Sequence, residues 1–223
     1  MGWNRSEILL KGYFLIIGYD VLKMPFEVQI VDLTDPDLDH EIYVQCLKLR
    51  RDVFISGMGW NLYQAMGCEF DQYDTPASIH VVAIAGGCVI GCMRLMRCDN
   101  DQGSCTYMIL DAHRGRIPNL PAGILKEEIA SDFAWEASRL AISPLVQAKD
   151  RNMVLSALIQ AGIDYARSRG GRTLLGMMNP VFRRIFSRAG FVAYQFGPIA
   201  KQRDGRICVL RIDFESQLEK ISA

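Results

Sequence analysis

The run IHVVAIAGGCVIGCMRLM (79–96) constrains the fold more than any other stretch. Two apolar segments meet at Gly86-Gly87, and paired glycines are a strong hairpin signal because they reach the positive φ values of a tight turn without steric cost. The expectation is two adjacent buried strands. Yet this apolar hairpin carries Arg94 near its end, and CEFDQYDTPAS just before it sets Glu69, Asp71 and Asp74 within six residues. By alternation, Ile90, Cys92, Arg94 and Met96 are expected to share one strand face. A charge there needs a partner, since an unpaired buried charge is costly.

Around the hairpin the sequence reads as mixed α/β. FEVQIV (26–31) is a short strand, and Ile42, Cys46, Leu49 and Val53 recur at helical spacing over a helix from 39 to 55. FAWEASRLAI (133–142) suits a strand, and RNMVLSALIQAGIDYARSRG (151–170) suits a helix with Gly170 as its stop. RTLLGMM (172–178) is a strand, and Asn179-Pro180 opens a short helix ending at Gly190. FVAYQFG and RICVLRIDF form a closing strand pair around Asp204-Gly205. This order predicts one α/β domain, a single three-layer α/β/α sandwich. Met24 opens its better-formed part, so 24–223 reads as the domain and 1–23 as an N-terminal extension.

Composition narrows the function. The 25 basic and 25 acidic residues cancel, which leaves no basic excess for nucleic acid. No apolar run reaches the length of a membrane span. YFLIIGYDV (13–21) is interrupted by Gly18 and Asp20 and lacks the small-residue cleavage site of a secretory signal. Seven cysteines at irregular spacings, with no Cys-x-x-Cys, and three scattered histidines (40, 80, 113) read as reduced thiols in a cytoplasmic protein, with no metal site.

Further charges interrupt core-like sequence. Arg50 lies among Cys46, Leu47, Val53 and Phe54, and Glu136 and Arg139 break the strand WEASRLA. Three core-facing arginines and four acids thus come from separated segments. A structural ion-pair network accounts for any single pair. The whole set reads as a site completed by a ligand bearing both signs of charge.

The ordered pattern Arg50-x3-Phe54-x5-Trp60-x8-Glu69-x-Asp71-x2-Asp74, then Arg94 in GCMRLM and Glu136 and Arg139 in WEASRLA, resembles the LuxI-type acyl-homoserine lactone synthases. The resemblance spans residues 26–214 and implies a fold related to the GNAT acetyltransferases, with their mixed sheet. It implies an acyltransferase that makes a quorum-sensing autoinducer. S-adenosylmethionine is consumed as substrate, an acyl carrier protein (or coenzyme A) delivers the acyl group, and no separate cofactor is needed.

The resemblance also implies roles. The methionyl α-amine, with a pKa of about 7.7–8.0, must lose a proton before it attacks the thioester. Glu69 is placed first as the base and Glu136 second, and the residue pattern alone does not separate them. Arg94 joins them as a catalytic residue. Arg50, Phe54, Trp60, Asp71, Asp74 and Arg139 bind S-adenosylmethionine or order the N-terminal loop. For Phe54 and Trp60, core packing and adenine stacking stand as equal alternatives. Gly176, Met177 and Met178 line the acyl pocket, and Arg184 and Arg188 dock the acidic carrier protein. Two departures stand out. Many family members place an aromatic-proline pair after a "YM-L" strand, where this chain reads YMILDAHRGRIP. Members favouring 3-oxoacyl chains tend to have threonine near the position aligned with Gly176, and glycine offers no hydroxyl. The rival readings are a GNAT-like acyl-CoA N-acyltransferase on another amine, and a non-catalytic homologue that binds carrier protein.

Overall fold

A computed structural model describes residues 25–202 and 205–218; the expected extension at 1–23 lies outside them. The glycine turn forms as expected. Gly86 and Gly87 have φ of 57° and 77° and join β4 (Ile79–Ala85) to β5 (Cys88–Arg97), with Ala85 opposite Cys88. This hairpin is the centre of a mixed sheet. On one side β4 pairs with β1 (Glu27–Asp32), and on the other β5 pairs with β6 (Ala134–Ile142). The sheet then continues through β7 (Thr173–Met178) and β10 (Gly205–Asp213) to the two-residue β8 (Tyr194–Gln195).

Helices cover both faces. On one face, α3 (Arg151–Ser168) and α4 (Phe182–Arg188) bury Val154, Leu158, Ile159 and Phe186 against Val81, Met93 and Leu95. On the other, α1 (His40–Arg50) packs Cys46 and Leu49 on Val82, Ile84 and Cys92. Beside it α2 (Met108–His113) packs Ile109 and Leu110 near Met96, Leu175 and Val209. The layers are those of the expected α/β/α sandwich.

Four details depart from the sequence reading. First, α1 ends at Arg50 and continues as a π-helical segment, Arg51–Gly57, in which Phe54 is buried. Such wider turns concentrate at functional sites. Second, β5 carries a bulge. Val89 pairs with Ile84 and Gly91 with Ala83, so Ile90 is the extra residue and turns into the α3-side core, away from Arg94. The bulge breaks the strict alternation from which a shared face was expected. Third, YMIL does not form a strand; residues 108–113 make α2, a single short helix over the sheet. Fourth, the strand that precedes Gly205 in the closing hairpin is β9 (Ala200–Gln202), while FVAYQFG contributes only β8, opposite Leu210 and Arg211.

The most consequential feature is the parallel β6–β7 pair, joined through α3. Its ladder runs Ala134↔Thr173, Trp135↔Leu174, Glu136↔Leu175 and then stops, although β6 continues to Ile142 and β7 to Met178. The two strands diverge from Glu136 onward. Opposite β5, β6 is bulged as well: Ser138 pairs with Arg94 and Ala141 with Cys92, which leaves Arg139 and Leu140 across from one residue. Arg139 adopts φ +55°, a left-handed conformation that is strained for a non-glycine residue.

Candidate active site

The charges singled out in the sequence converge on one point, on the α1 side of β5 and β6. Arg50, at the end of α1, donates from Nε to Glu69 Oε2 at 2.6 Å and from both Nη atoms to Asp74 at 2.7 Å. Arg94, on β5, donates to Asp71 at 2.5 and 3.2 Å, to Asp74 at 2.9 Å and to Ser138 Oγ at 3.2 Å. Arg139 reaches Glu69 Oε1 at 3.1 Å and Asp71 Oδ2 at 2.7 Å. Arg50, Arg94 and Glu69 are fully buried, and Arg139 retains 11% side-chain exposure. Three guanidinium groups therefore meet three carboxylates in a neutral, alternating cluster.

The sheet and α1 position the arginines, while β2 (Gln64–Ala65) pairs with β3 (Cys68–Glu69), which ends on Glu69, and Asp71 and Asp74 lie in the connection that follows. That connection is folded by its own carboxylates. Asp74 Oδ2 accepts the Asp71 N–H at 2.8 Å, and Asp71 Oδ1 accepts the Tyr73 N–H at 2.9 Å. The Tyr73 hydroxyl donates to the buried Asp111 on α2 at 2.9 Å, and the Arg94 guanidinium lies 5.5 Å from the Tyr73 ring. Burial works against ionisation of Asp71 and Asp74, but the neighbouring arginines outweigh it and hold both carboxyls below the usual range.

Glu136 differs from these acids. It is fully buried two residues before Ser138, and its Oε2 accepts the Ile109 N–H of α2 at 2.7 Å, while Oε1 has no hydrogen-bond partner. Burial pushes its carboxyl up, against the opposing pull of the Ile109 N–H, Arg94 and Ser138. Both oxygens of Glu69, by contrast, are held by guanidinium groups.

Phe54 and Trp60 stack on one another with ring centroids 5.2 Å apart and 7° between planes, and the Arg139 guanidinium lies 5.9 Å from the Phe54 ring. Phe54 is buried and Trp60 is 36% exposed, so one aromatic belongs to the core and the other keeps a solvent-facing surface. Gly176 and Met178 line a small cavity on the opposite, α3 side of the sheet. Met177 points the other way, toward the α2 side, as strand alternation requires. Arg184 and Arg188 are exposed on α4.

Four participants were not singled out in the sequence: Ser138, Tyr73, Asp111 and His80. His80 is a polar residue inside an apolar strand and lies with Nε2 3.9 Å from Asp74 Oδ1, which is the kind of interruption that drew attention to Arg94. Ser138 lies two positions beyond Glu136 and so shares its strand face. Asp111 carried no signal, because α2 was not expected.

The model describing autoinducer synthases matches residues 37–220. The chain belongs to the autoinducer synthase family. Within that family, the acyl-homoserine-lactone synthase of Ralstonia nicotianae is 30% identical over 155 residues, which are 67% of this chain and 71% of the relative. Two solved structures share the fold. TofI, in a ternary complex with an inhibitor and MTA, has a TM-score of 0.70 and 23% identity, covering 88% of this chain and 96% of its own. BjaI, a CoA-dependent acyl-homoserine lactone synthase with SAM and isopentyl-CoA, has a TM-score of 0.68 and 19% identity, covering 89% and 90%. The family resemblance and the fold expected from the sequence are both borne out. No helix among the described residues of this autoinducer synthase is long and apolar enough to cross a membrane.

Two outcomes follow for the synthase cluster. Arg94→Ala strands Asp71 and Asp74 beside too little positive charge and is expected to cost about 3–5 kcal/mol in urea unfolding. Arg94→Lys is expected to recover only part of that, since one ammonium cannot reproduce the fork to Asp71, Asp74 and Ser138; wild-type stability in the lysine variant would refute this role. The second outcome concerns pH. Asp71 and Asp74 have lowered folded-state values, so their stabilisation is complete above the unfolded value of about 3.9 and is lost as pH falls through it toward the folded values. Unfolding free energy should therefore drop on acidification. Asp74→Asn should flatten that dependence, and an equally steep profile in the variant would contradict the assignment.

Proposed function

We propose that this chain is an acyl-homoserine lactone synthase. It joins S-adenosylmethionine to an acyl group carried as a thioester, then closes the product to a lactone and releases methylthioadenosine. The observation that carries this reading is Glu136, a buried carboxyl with one unpartnered oxygen, set beside the arginine–carboxylate cluster where β6 and β7 part. The names of the relatives and the substrates bound to BjaI support the choice of substrates.

In the proposed first step, Glu136 takes a proton from the α-ammonium group, directly or through a water. The freed amine nitrogen bonds to the thioester carbonyl carbon, the C–S bond breaks, and the thiol leaves with a proton. Glu136 suits this work better than Glu69. Its raised pKa brings it closer to that of the amine, whereas Glu69 is neutralised by two arginines. Glu69 instead anchors Arg50 and Arg139. Beyond Glu136 the β6 backbone has no β7 partner, and N–H groups of this stretch are the proposed donors to the tetrahedral oxyanion.

In the second step the ligand carboxylate attacks its own γ-carbon, and the C–S bond of the sulfonium breaks to release neutral methylthioadenosine. The protein's task is to hold the chain curled. The most exposed guanidinium of the cluster is Arg139, whose Nη1 has the weak acceptor Met108 Sδ at 3.6 Å and serves as the proposed partner of the ligand carboxylate. The outer surface of Trp60 offers stacking for adenine. Asp71 and Asp74 hold the arginines and the loop in place. Carrier protein is the proposed acyl donor. Arg184 and Arg188 are exposed on the helix whose Phe186 lines the cavity, so an acidic partner docked there delivers its thioester close to it. A cytoplasmic location is part of this proposal.

The decisive measurement is methylthioadenosine release with S-adenosylmethionine and acyl thioester. Glu136→Gln keeps an acceptor for the Ile109 N–H and removes the base, so turnover should fall by about 10²–10⁴-fold with the fold intact. Undiminished turnover would exclude Glu136 as the base. Reversing charge at Arg184 and Arg188 together should raise KM for acyl carrier protein well above its effect on KM for acyl-CoA. Equal effects would remove α4 from the docking surface.

A further inference from the structure

Outside the arginine cluster, the buried acids among the described residues are Glu136 and Asp111, and the mechanism above uses only the first. The Asp111 carboxylate, on α2, is fully engaged. Oδ2 accepts the Thr106 N–H at 3.0 Å and the Tyr73 hydroxyl at 2.9 Å, and Oδ1 accepts the Thr106 hydroxyl at 2.9 Å and Arg116 Nη1 at 3.2 Å. Six residues do not hold a helical turn by themselves, and Tyr107, at the N-cap of α2, makes no side-chain capping bond. A capping side chain ordinarily takes the N–H of the second or third helical residue. Here the second residue is Ile109, and its N–H goes to Glu136 Oε2 at 2.7 Å instead. Asp111 replaces the missing cap from within. It binds the backbone and the hydroxyl of Thr106, and so fixes the turn that carries the Ile109 N–H. The same carboxylate reaches the other half of the site. Tyr73, which it holds by the hydroxyl, donates its N–H to Asp71 and lies with its ring 5.5 Å from the Arg94 guanidinium.

We propose that Asp111 is a positioning residue of the reaction: by clamping the first turn of α2 to Tyr73, it holds the Ile109 N–H on Glu136 and leaves that carboxylate's other oxygen facing the substrate amine. The inference rests on the synthase reading above and adds a residue to its machinery. Glu136 has one oxygen fixed by Ile109 and one without a hydrogen-bond partner, and a general base must be held within hydrogen-bond reach of the proton it takes. The groups that face Glu136 are Arg94 on β5, Cys98 after it, Asp71 and Tyr73 in the acidic connection, Ser138 on its own strand, and Tyr107 and Ile109 at the start of α2. Burial pushes its carboxyl up, and of the groups that oppose burial the Ile109 N–H is the strongest. Loosening that N–H therefore raises Glu136 further, and the ionised base is reached only at higher pH. Losing the negative charge of Asp111 acts in the opposite direction, so the sign of the change separates lost geometry from lost charge.

The test follows methylthioadenosine release by the full chain as a function of pH, at saturating S-adenosylmethionine and hexanoyl thioester, the latter on carrier protein and on coenzyme A. Asp111→Ala should lower kcat by up to about 10²-fold, the scale of a misplacement of about 1 Å, and should move the acid limb of the kcat profile to higher pH. Asp111→Asn keeps an acceptor for the Thr106 N–H and the Tyr73 hydroxyl. It should restore most of kcat and return the acid limb to its wild-type position or below. Tyr73→Phe removes only the hydroxyl and should shift the limb as alanine does, by a smaller amount; it decides the matter where the alanine variant does not fold. A lower kcat with the acid limb unmoved makes Asp111 a structural residue only and overturns the inference. A limb that moves to lower pH in Asp111→Ala reports charge alone and overturns it as well. No methylthioadenosine from the wild type with either thioester overturns the synthase reading and the inference with it; release that responds to Glu136→Gln but not to Asp111→Ala overturns the inference alone.

Discussion

Arg94 is 0% exposed on a central strand, and everything around it answers that fact. A guanidinium cannot shed its charge, so at that depth it must be surrounded by carboxylates or be expelled. Asp71 and Asp74 do the surrounding, and in doing so they fold residues 70–78 against the sheet. Arg50 and Arg139 are drawn in by the surplus negative charge, which neutralises the cluster. A hydrophobic replacement of similar volume would serve stability as well, since buried ion pairs seldom outperform apolar packing. Retaining six charged groups in this core therefore fits the charged substrate proposed above.

The fold was legible where local signals agree with tertiary demands. The Gly86-Gly87 turn, the apolar strands on either side and the stripe of α3 all point the same way in sequence and structure. Legibility failed where one residue changes the phase. Ile90 reads as a facing neighbour of Arg94, and a one-residue bulge turns it to the other core. The α2 segment failed for another reason. Six residues carry too little periodicity to announce a helix, and this one forms because Glu136 receives its Ile109 N–H and Asp111 ties it to Tyr73 and Thr106. Of those partners, Glu136 and Tyr73 come from elsewhere in the chain.

The site divides in the same way. Which charges matter could be read from their intrusion into apolar sequence, and all of Arg50, Glu69, Asp71, Asp74, Arg94 and Arg139 meet in one cluster. How the acids share the work could not be read, because Glu69 and Glu136 look alike in sequence. They differ only in who occupies their oxygens. Likewise LLGMM promises a lining, but that Met178 folds onto Gly176 while Met177 faces α2 is a matter of strand phase and side-chain length.

Arg139 holds a left-handed backbone that most residues avoid, at a cost of about 1–2 kcal/mol. A glycine there would relax the chain, yet it would remove the charge that faces Glu69 and Asp71 and leave buried carboxylates short of a partner. The smaller penalty is thus protected by the larger one. Any evolutionary path to a relaxed backbone at 139 must pass through an unbalanced core, unless an acid is lost at the same time. The strain at 139 is thus tied to the charge balance of the cluster, and relieving the one disturbs the other.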